Sequence, residues 1–194
     1  MLDVEVIADP AAAVTALDPT RSRLLAELTE PASAAALASR VGISRQKVNY
    51  HLRTLEEHGL VTEAGERKWG GLRERLLVAT ATSYVVSPAA LGPVASDPGR
   101  AEDRLSASFL IALAARAVRE VGELWSAARA KNKRLATLSI DTAIRFRSPA
   151  DRASFTRELS DAVTALVARY HDESDPHGRA YRLMVAAYPT PQEV

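Results

Sequence analysis

The sequence predicts a mainly α protein with a small β component, an α+β chain. It reads as an N-terminal winged helix-turn-helix, a long dimerisation helix and a C-terminal strand-helix-strand module. Three observations carry that expectation. Ala, Leu and Val dominate an apolar fraction of 47% while aromatics make up only 5%, a mix that favours helix over sheet. Apolar residues recur every three or four positions along several stretches, the helical period. Strict apolar–polar alternation, the strand period, is confined to a few short segments.

The chain divides by composition. Residues 87–99 (SPAALGPVASDPG) are rich in Pro, Gly and Ser and read as a linker. They separate a module over 1–86 from one over 100–194. In the first, Asp18-Pro19 sets a capping carboxylate before a Pro at the first helical position. Leu24, Leu25 and Leu28 form the apolar stripe of that helix, and Pro31 closes it. A second helix starts after Ser33, carries Leu37 and Val41 and stops at Gly42. A third runs from its cap, Ser44, to about His58, with Val48, Leu52 and Leu55 facing inward and Gly59 ending it. Leu60–Thr62 and Arg75–Thr80 read as two strands joined through a turn at Gly70-Gly71. Ser87-Pro88 starts a short helical turn that Gly92 ends.

In the second module, Asp97-Pro98 opens a helix expected to reach about Lys131, roughly 50 Å long at 1.5 Å per residue. Leu105, Phe109, Leu113, Ala117, Val121 and Leu124/Trp125 form its stripe. From Ala136 to Phe146, apolar Ala136, Leu138, Ile140, Ile144 and Phe146 alternate with Thr137, Ser139, Asp141 and Arg145, the pattern of a one-faced strand. Ser148-Pro149-Ala150-Asp151 is a helix start, and its helix carries Phe155, Leu159, Val163, Leu166, Val167 and Tyr170. His171–Gly178 is a polar loop. Tyr181–Tyr188 reads as a last strand, ended by Pro189. Two strands alone are marginal, so they must pack on helices or extend a sheet across a dimer.

The segment from Ser33 to Val61 carries the chemistry. Two short helices joined by a tight turn at Gly42-Ile43 fit a helix-turn-helix, whose second helix enters the major groove of DNA. Between Arg40 and Arg53 there are four basic residues and no acid, although the whole chain has a formal charge of only +1. The face opposite Val48, Leu52 and Leu55 presents Ser44, Arg45, Gln46, Lys47, Asn49, Tyr50 and Arg53. Arg pairs with guanine, and Gln or Asn with adenine. Ser44 and the helix N-terminus suit a phosphate, and Tyr50 and Arg53 suit the backbone. Arg67, Lys68, Arg73 and Arg75 surround Gly70-Gly71, so the hairpin reads as a basic wing for phosphate or minor-groove contact.

On Ile43-Ser44-Arg45, Val48, His51-Leu52, Leu55-Glu56 and Gly59-Leu60-Val61, residues 15–86 resemble the winged helix-turn-helix regulators of the arsenic-repressor (ArsR) type. That resemblance implies a DNA-binding regulator, expected to repress, with DNA-reading positions at Ser44, Arg45, Gln46, Asn49 and Tyr50. Metal-sensing members often use cysteine pairs, and this chain contains no cysteine. The C-terminal region resembles longer, actinobacterial-type relatives rather than the single terminal helix of small members.

Several function classes are disfavoured. Without cysteine there is no disulfide, thiolate metal site or cysteine nucleophile. No apolar run approaches the ~20 residues that span a bilayer, and the N-terminus lacks the early Lys or Arg of a signal peptide. A cytoplasmic location is expected. No nucleophile elbow, phosphate loop or dinucleotide fingerprint appears, so no catalytic residue, cofactor or metal is assigned. His171, Asp172 and His177 are the only support for an enzyme or a metal site, and a solvated loop is the simpler account. His51 reads as a packing or phosphate-side residue. Arg129, Lys131, Lys133 and Arg134 complement a helix C-terminus, with a second DNA contact as the weaker reading.

The expected partners are double-stranded DNA and a second copy of the chain, with no membrane. A small apolar or aromatic effector is a further candidate, and Phe109, Trp125, Phe146, Tyr170, Tyr181 and Met184 are the residues proposed to line its pocket. The alternatives are an enzyme with a winged appendage and a winged domain that binds only a protein partner.

Overall fold

The computed structural model describes residues 1–69, 72–100, 103 and 105–190. The chain forms two compact units, residues 1–135 and 136–194. It is mainly helical, with two small two-stranded sheets among the described residues.

The first unit begins with a short strand β1 (Glu5–Ile7), which pairs in parallel with β4 (Tyr84–Val86). Helix α1 (Pro10–Leu17) follows, capped by Asp9, whose carboxylate accepts from Ala12 N at 2.7 Å. No element was expected over either β1 or α1. The next helices follow expectation. In α2 (Pro19–Glu27), Asp18 caps with bonds from Thr20 N (3.0 Å) and Arg21 N (2.9 Å). Helix α3 (Ala34–Val41) is capped by Ser33 and closed by Gly42 at φ 75°, a left-handed conformation that an L side chain adopts only under strain. Helix α4 (Arg45–Glu57) is capped by Ser44.

These helices form because their apolar faces share one core. Leu24, Leu28, Leu37, Val48 and Leu55 are completely or nearly completely buried, with Leu25, Val41 and Leu52 beside them. Each such side chain contributes about 1.5–3 kcal/mol relative to exposure. The hairpin of β2 (Val61–Trp69) and β3 (Leu72–Ala79) is longer than the sequence suggested. A bulge interrupts the register between Glu63 and Gly65, and Leu77 and Ala79 are buried on the core side. The Gly70-Gly71 turn lies outside the described residues. Ala32, ahead of α3, exchanges two backbone bonds with Leu77 (2.9 and 3.0 Å), tying the wing to the helix-turn-helix.

Two expectations are corrected here. Asp97-Pro98 does not open the long helix: it starts a single 3₁₀ turn (Pro98–Arg100), in which Asp97 accepts from Gly99 N at 2.9 Å. Helix α5 (Ala107–Ala130) starts instead at Ser106, whose hydroxyl accepts from Phe109 N at 3.1 Å. With 24 residues, it is roughly 36 Å long at 1.5 Å per residue. Within the linker, Gly92 breaks the turn at φ 58° as expected, but a second turn continues through Val94. Helix α5 belongs to the first unit. Its Gly122 lies against Val6 so closely that a Cβ there would stand 2.7 Å from Val6 Cγ1, and Arg129 pairs with Glu5 at 3.7 Å.

In the second unit, α6 (Pro149–Tyr170) starts at Ser148 as expected, with Ser148 Oγ accepting from Asp151 N at 3.1 Å. The two C-terminal strands do not form: 136–146 and 181–188 belong to no strand among the described residues. A strand is made by its partner's backbone, and alternation records only which face seeks burial.

Candidate nucleic-acid interface

The interface is built by the cap and the core of α4. Ser44 accepts from Lys47 N at 3.3 Å and keeps its own O–H to donate. The inward stripe of Val48, Leu52 and Leu55 fixes the roll of the helix. That roll leaves Ser44, Arg45, Gln46, Lys47, Asn49, Tyr50 and Arg53 all exposed, Tyr50 by 65%. Arg45, Gln46, Asn49, Tyr50 and Arg53 line a shallow depression on this outer face. Arg23 of α2 donates to Val41 O at 3.1 Å, tying α2 to the end of α3 beside the Gly42 turn.

The wing is arranged differently from a row of free cations. Arg67 pairs with Glu74 (3.2 Å) and Arg73 with Glu66 (3.5 Å). Arg75 donates to Glu56 of α4 at 2.8 Å and to Glu63 of β2 at 3.0 Å. The Glu56 carboxylate first, then Glu63, raises the guanidinium pKa above its ordinary value. Arg75, expected on phosphate, therefore has its fork occupied in joining the recognition helix to the hairpin. Lys68 is exposed. A groove beside α4 brings Arg45, Asn49 and Arg53 together with Arg73 and Arg75.

The nature of Arg75 was hidden in the sequence because its partners lie 12 and 19 residues away. The one legible signal was Glu63, which faces the arginine's side of the hairpin. His51 is half-buried, its ring edge-on to Tyr50 at 5.3 Å. Its Nδ1 is buried and finds no hydrogen-bond partner among the described residues, in keeping with a packing role.

The candidate effector residues fall in both units. Phe109 and Trp125 lie on α5 of the first. Phe146, Tyr170, Tyr181 and Met184 belong to the second, where Phe146 meets Phe155 at 5.3 Å and the other three are exposed. His171 pairs with Glu173 at 3.2 Å. Asp172 accepts from both the Ser174 hydroxyl and the Ser174 N–H, which lowers its pKa. His177 lies in the same exposed loop. Among the described residues no three His, Cys, Asp or Glu side chains cluster as metal ligands, and no helix is long and apolar enough to cross a membrane.

A family described as a helix-turn-helix domain matches residues 16–64, the span from the end of α1 into β2. No curated protein matches the chain. Among solved structures, NolR from Sinorhizobium fredii is 24% identical with a TM-score of 0.31, over 37% of this chain and 67% of that one. A MarR family transcription regulator is 11% identical with a TM-score of 0.28, over 84% of this chain and 79% of that one. The domain match coincides with α2, α3 and α4, so the chain carries a helix-turn-helix domain, and the β2–β3 hairpin gives it a wing.

Proposed function

We propose that the protein is a sequence-specific, DNA-binding transcription regulator of the arsenic-repressor-like type, acting in the cytoplasm as a homodimer on a pseudo-palindromic operator. The observation that carries this reading is the exposed polar face of α4. Seven side chains able to contact bases or phosphates point away from the core on the second helix of a helix-turn-helix. Arg45, Gln46 and Asn49 read base edges near the helix N-terminus. Ser44, Lys47, Tyr50 and Arg53 hold the backbone, with Lys68, Arg67 and Arg73 on the flanking phosphates. Arg67 and Arg73 exchange their carboxylate partners for phosphate on binding.

A dimer places two such helices on half-sites about 34–36 Å apart. Bound there, it represses by occupying the promoter. A small apolar or aromatic effector releases it by changing that spacing.

The test begins with genomic fragments retained by the purified protein, sequenced to define the operator. Arg45→Ala and Gln46→Ala should each weaken operator binding by ~1–3 kcal/mol and relax the preference at one base. Fluorescence anisotropy on operator and scrambled duplexes reads both effects. Equal losses on the two duplexes would remove the base-reading role. Affinity should also fall steeply between low and moderate salt, because phosphate contacts release counterions.

A further inference from the structure

His51 carries a polar atom that its surroundings leave idle. Its Nδ1 is shut away from solvent and finds no partner among the described residues. A buried polar atom without a hydrogen bond weakens the fold. An aliphatic side chain of similar size would fill the same half-buried place without that cost. Packing alone therefore does not account for a ring here.

What the ring does touch is Tyr50. The two centroids stand 5.3 Å apart and the planes meet at 71°. The helix does not impose this contact, because successive side chains project about 100° apart and do not face each other. Here the rings close that angle in the edge-on arrangement that aromatic pairs favour. The inner edge of His51 is seated in protein, whereas Tyr50 is 65% exposed. Tyr50 shares the outer depression of α4 with Arg45, Gln46, Asn49 and Arg53. A seated ring thus braces an exposed one on the face of α4 that meets DNA. A side chain braced beforehand loses less rotamer freedom when it binds.

We infer that His51 is a positioning residue for DNA binding: its ring sets the Tyr50 ring on the outer face of α4, so that the phenol hydroxyl is presented to a backbone phosphate. The inference rests on the DNA-binding reading above and adds a residue to it. His51 acts through Tyr50 and makes no contact with DNA itself.

Fluorescence anisotropy of the full chain on operator and scrambled duplexes tests this. Tyr50→Ala and His51→Leu should each weaken binding about three- to tenfold, the worth of one pre-ordered side chain. The loss should be the same on both duplexes, because a phosphate contact carries no sequence information. The salt slope should stay as in the parent, since a neutral hydroxyl displaces no counterion. The double variant should bind no more weakly than Tyr50→Ala alone. His51→Phe, which keeps a ring, should bind as the parent does. His51→Leu should unfold at no lower temperature than the parent, because it removes the idle nitrogen.

Losses that multiply in the double variant show His51 acting without Tyr50 and overturn the inference. So does His51→Leu binding as tightly as the parent, His51→Phe binding as weakly as His51→Leu, or a loss in His51→Leu that follows a lowered unfolding temperature. Each of these leaves the DNA-binding reading standing. A parent protein that retains neither duplex overturns both.

Discussion

Residues 1–135 and residues 136–190 both carry regular apolar patterns, and they use them in opposite ways. In the first unit the stripes of α2, α3 and α4 converge, and Leu24, Leu28, Leu37 and Leu55 leave the solvent entirely. In the second, α6 has no buried residue although it carries Phe155, Leu159, Val163, Leu166 and Val167. The lesson is that an amphipathic period specifies a face that seeks cover. Whether the cover comes from the same chain depends on whether neighbouring elements bring matching faces to it. The helix-turn-helix supplies three such faces within about forty residues of sequence. The C-terminal segment supplies one helix flanked by two unpaired stretches.

The largest expected effect exploits that contrast. Leu55→Ala should cost about 2–5 kcal/mol of stability, because it opens a cavity in a filled core. Leu138→Ala, at a side chain 85% exposed, should leave the urea midpoint of the DNA-binding unit unchanged. If the two substitutions shift the same transition by the same amount, the two units are not thermodynamically distinct.

Gly122→Ala should come next. The new methyl would lie 2.7 Å from Val6 Cγ1, and overpacking of this kind costs about 1–3 kcal/mol. Val6→Ala in the same chain should return most of the loss in thermal unfolding. A Gly122→Ala protein as stable as the parent would show that α5 packs less closely on β1.

Asp18 offers a smaller effect with a pH signature. The Arg21 N–H bond lowers its carboxyl pKa, opposed by partial burial and helped by the nearby Arg21 charge and the Thr20 N–H. The native group thus titrates below its unfolded counterpart. Its stabilisation is complete above the ordinary value of 3.8 and is lost as the pH falls through the lower native value. Asp18→Ala should cost about 1 kcal/mol at neutral pH, and the difference from the parent should vanish in acid, as followed by circular dichroism.

Arg75→Gln should have the least effect on stability, about 0–1 kcal/mol and diminishing with salt, since the Glu56–Arg75–Glu63 set is half exposed. Its value lies in binding. A clamp between α4 and the wing predicts lower operator affinity with an unchanged salt slope. A phosphate contact predicts a slope smaller by about one, read by anisotropy across a salt series.

Much of the recognition module was legible because its signals are local. Capping residues act within three positions, as Asp18, Ser33 and Ser44 do, and inward stripes repeat within a single helix. Helix α5 is shorter than its sequence predicts because Asp97-Pro98 satisfies the same local rule as a helix start, yet forms only one turn. Strand β1 carries no local signal because its three residues gain meaning only from β4, nearly eighty positions later.

By itself the sequence determined the helix-turn-helix, the outward polar face of α4 and the apolar alternation of 136–146, since each follows from spacing along a few turns of chain. Only the tertiary structure decided that Arg75 bridges helix and wing, that Gly122 seats α5 against Val6, and that the C-terminal alternation finds no strand partner among the described residues. Those outcomes depend on which distant backbone arrives at a given side chain. That is a question of three-dimensional approach, which periodicity does not encode.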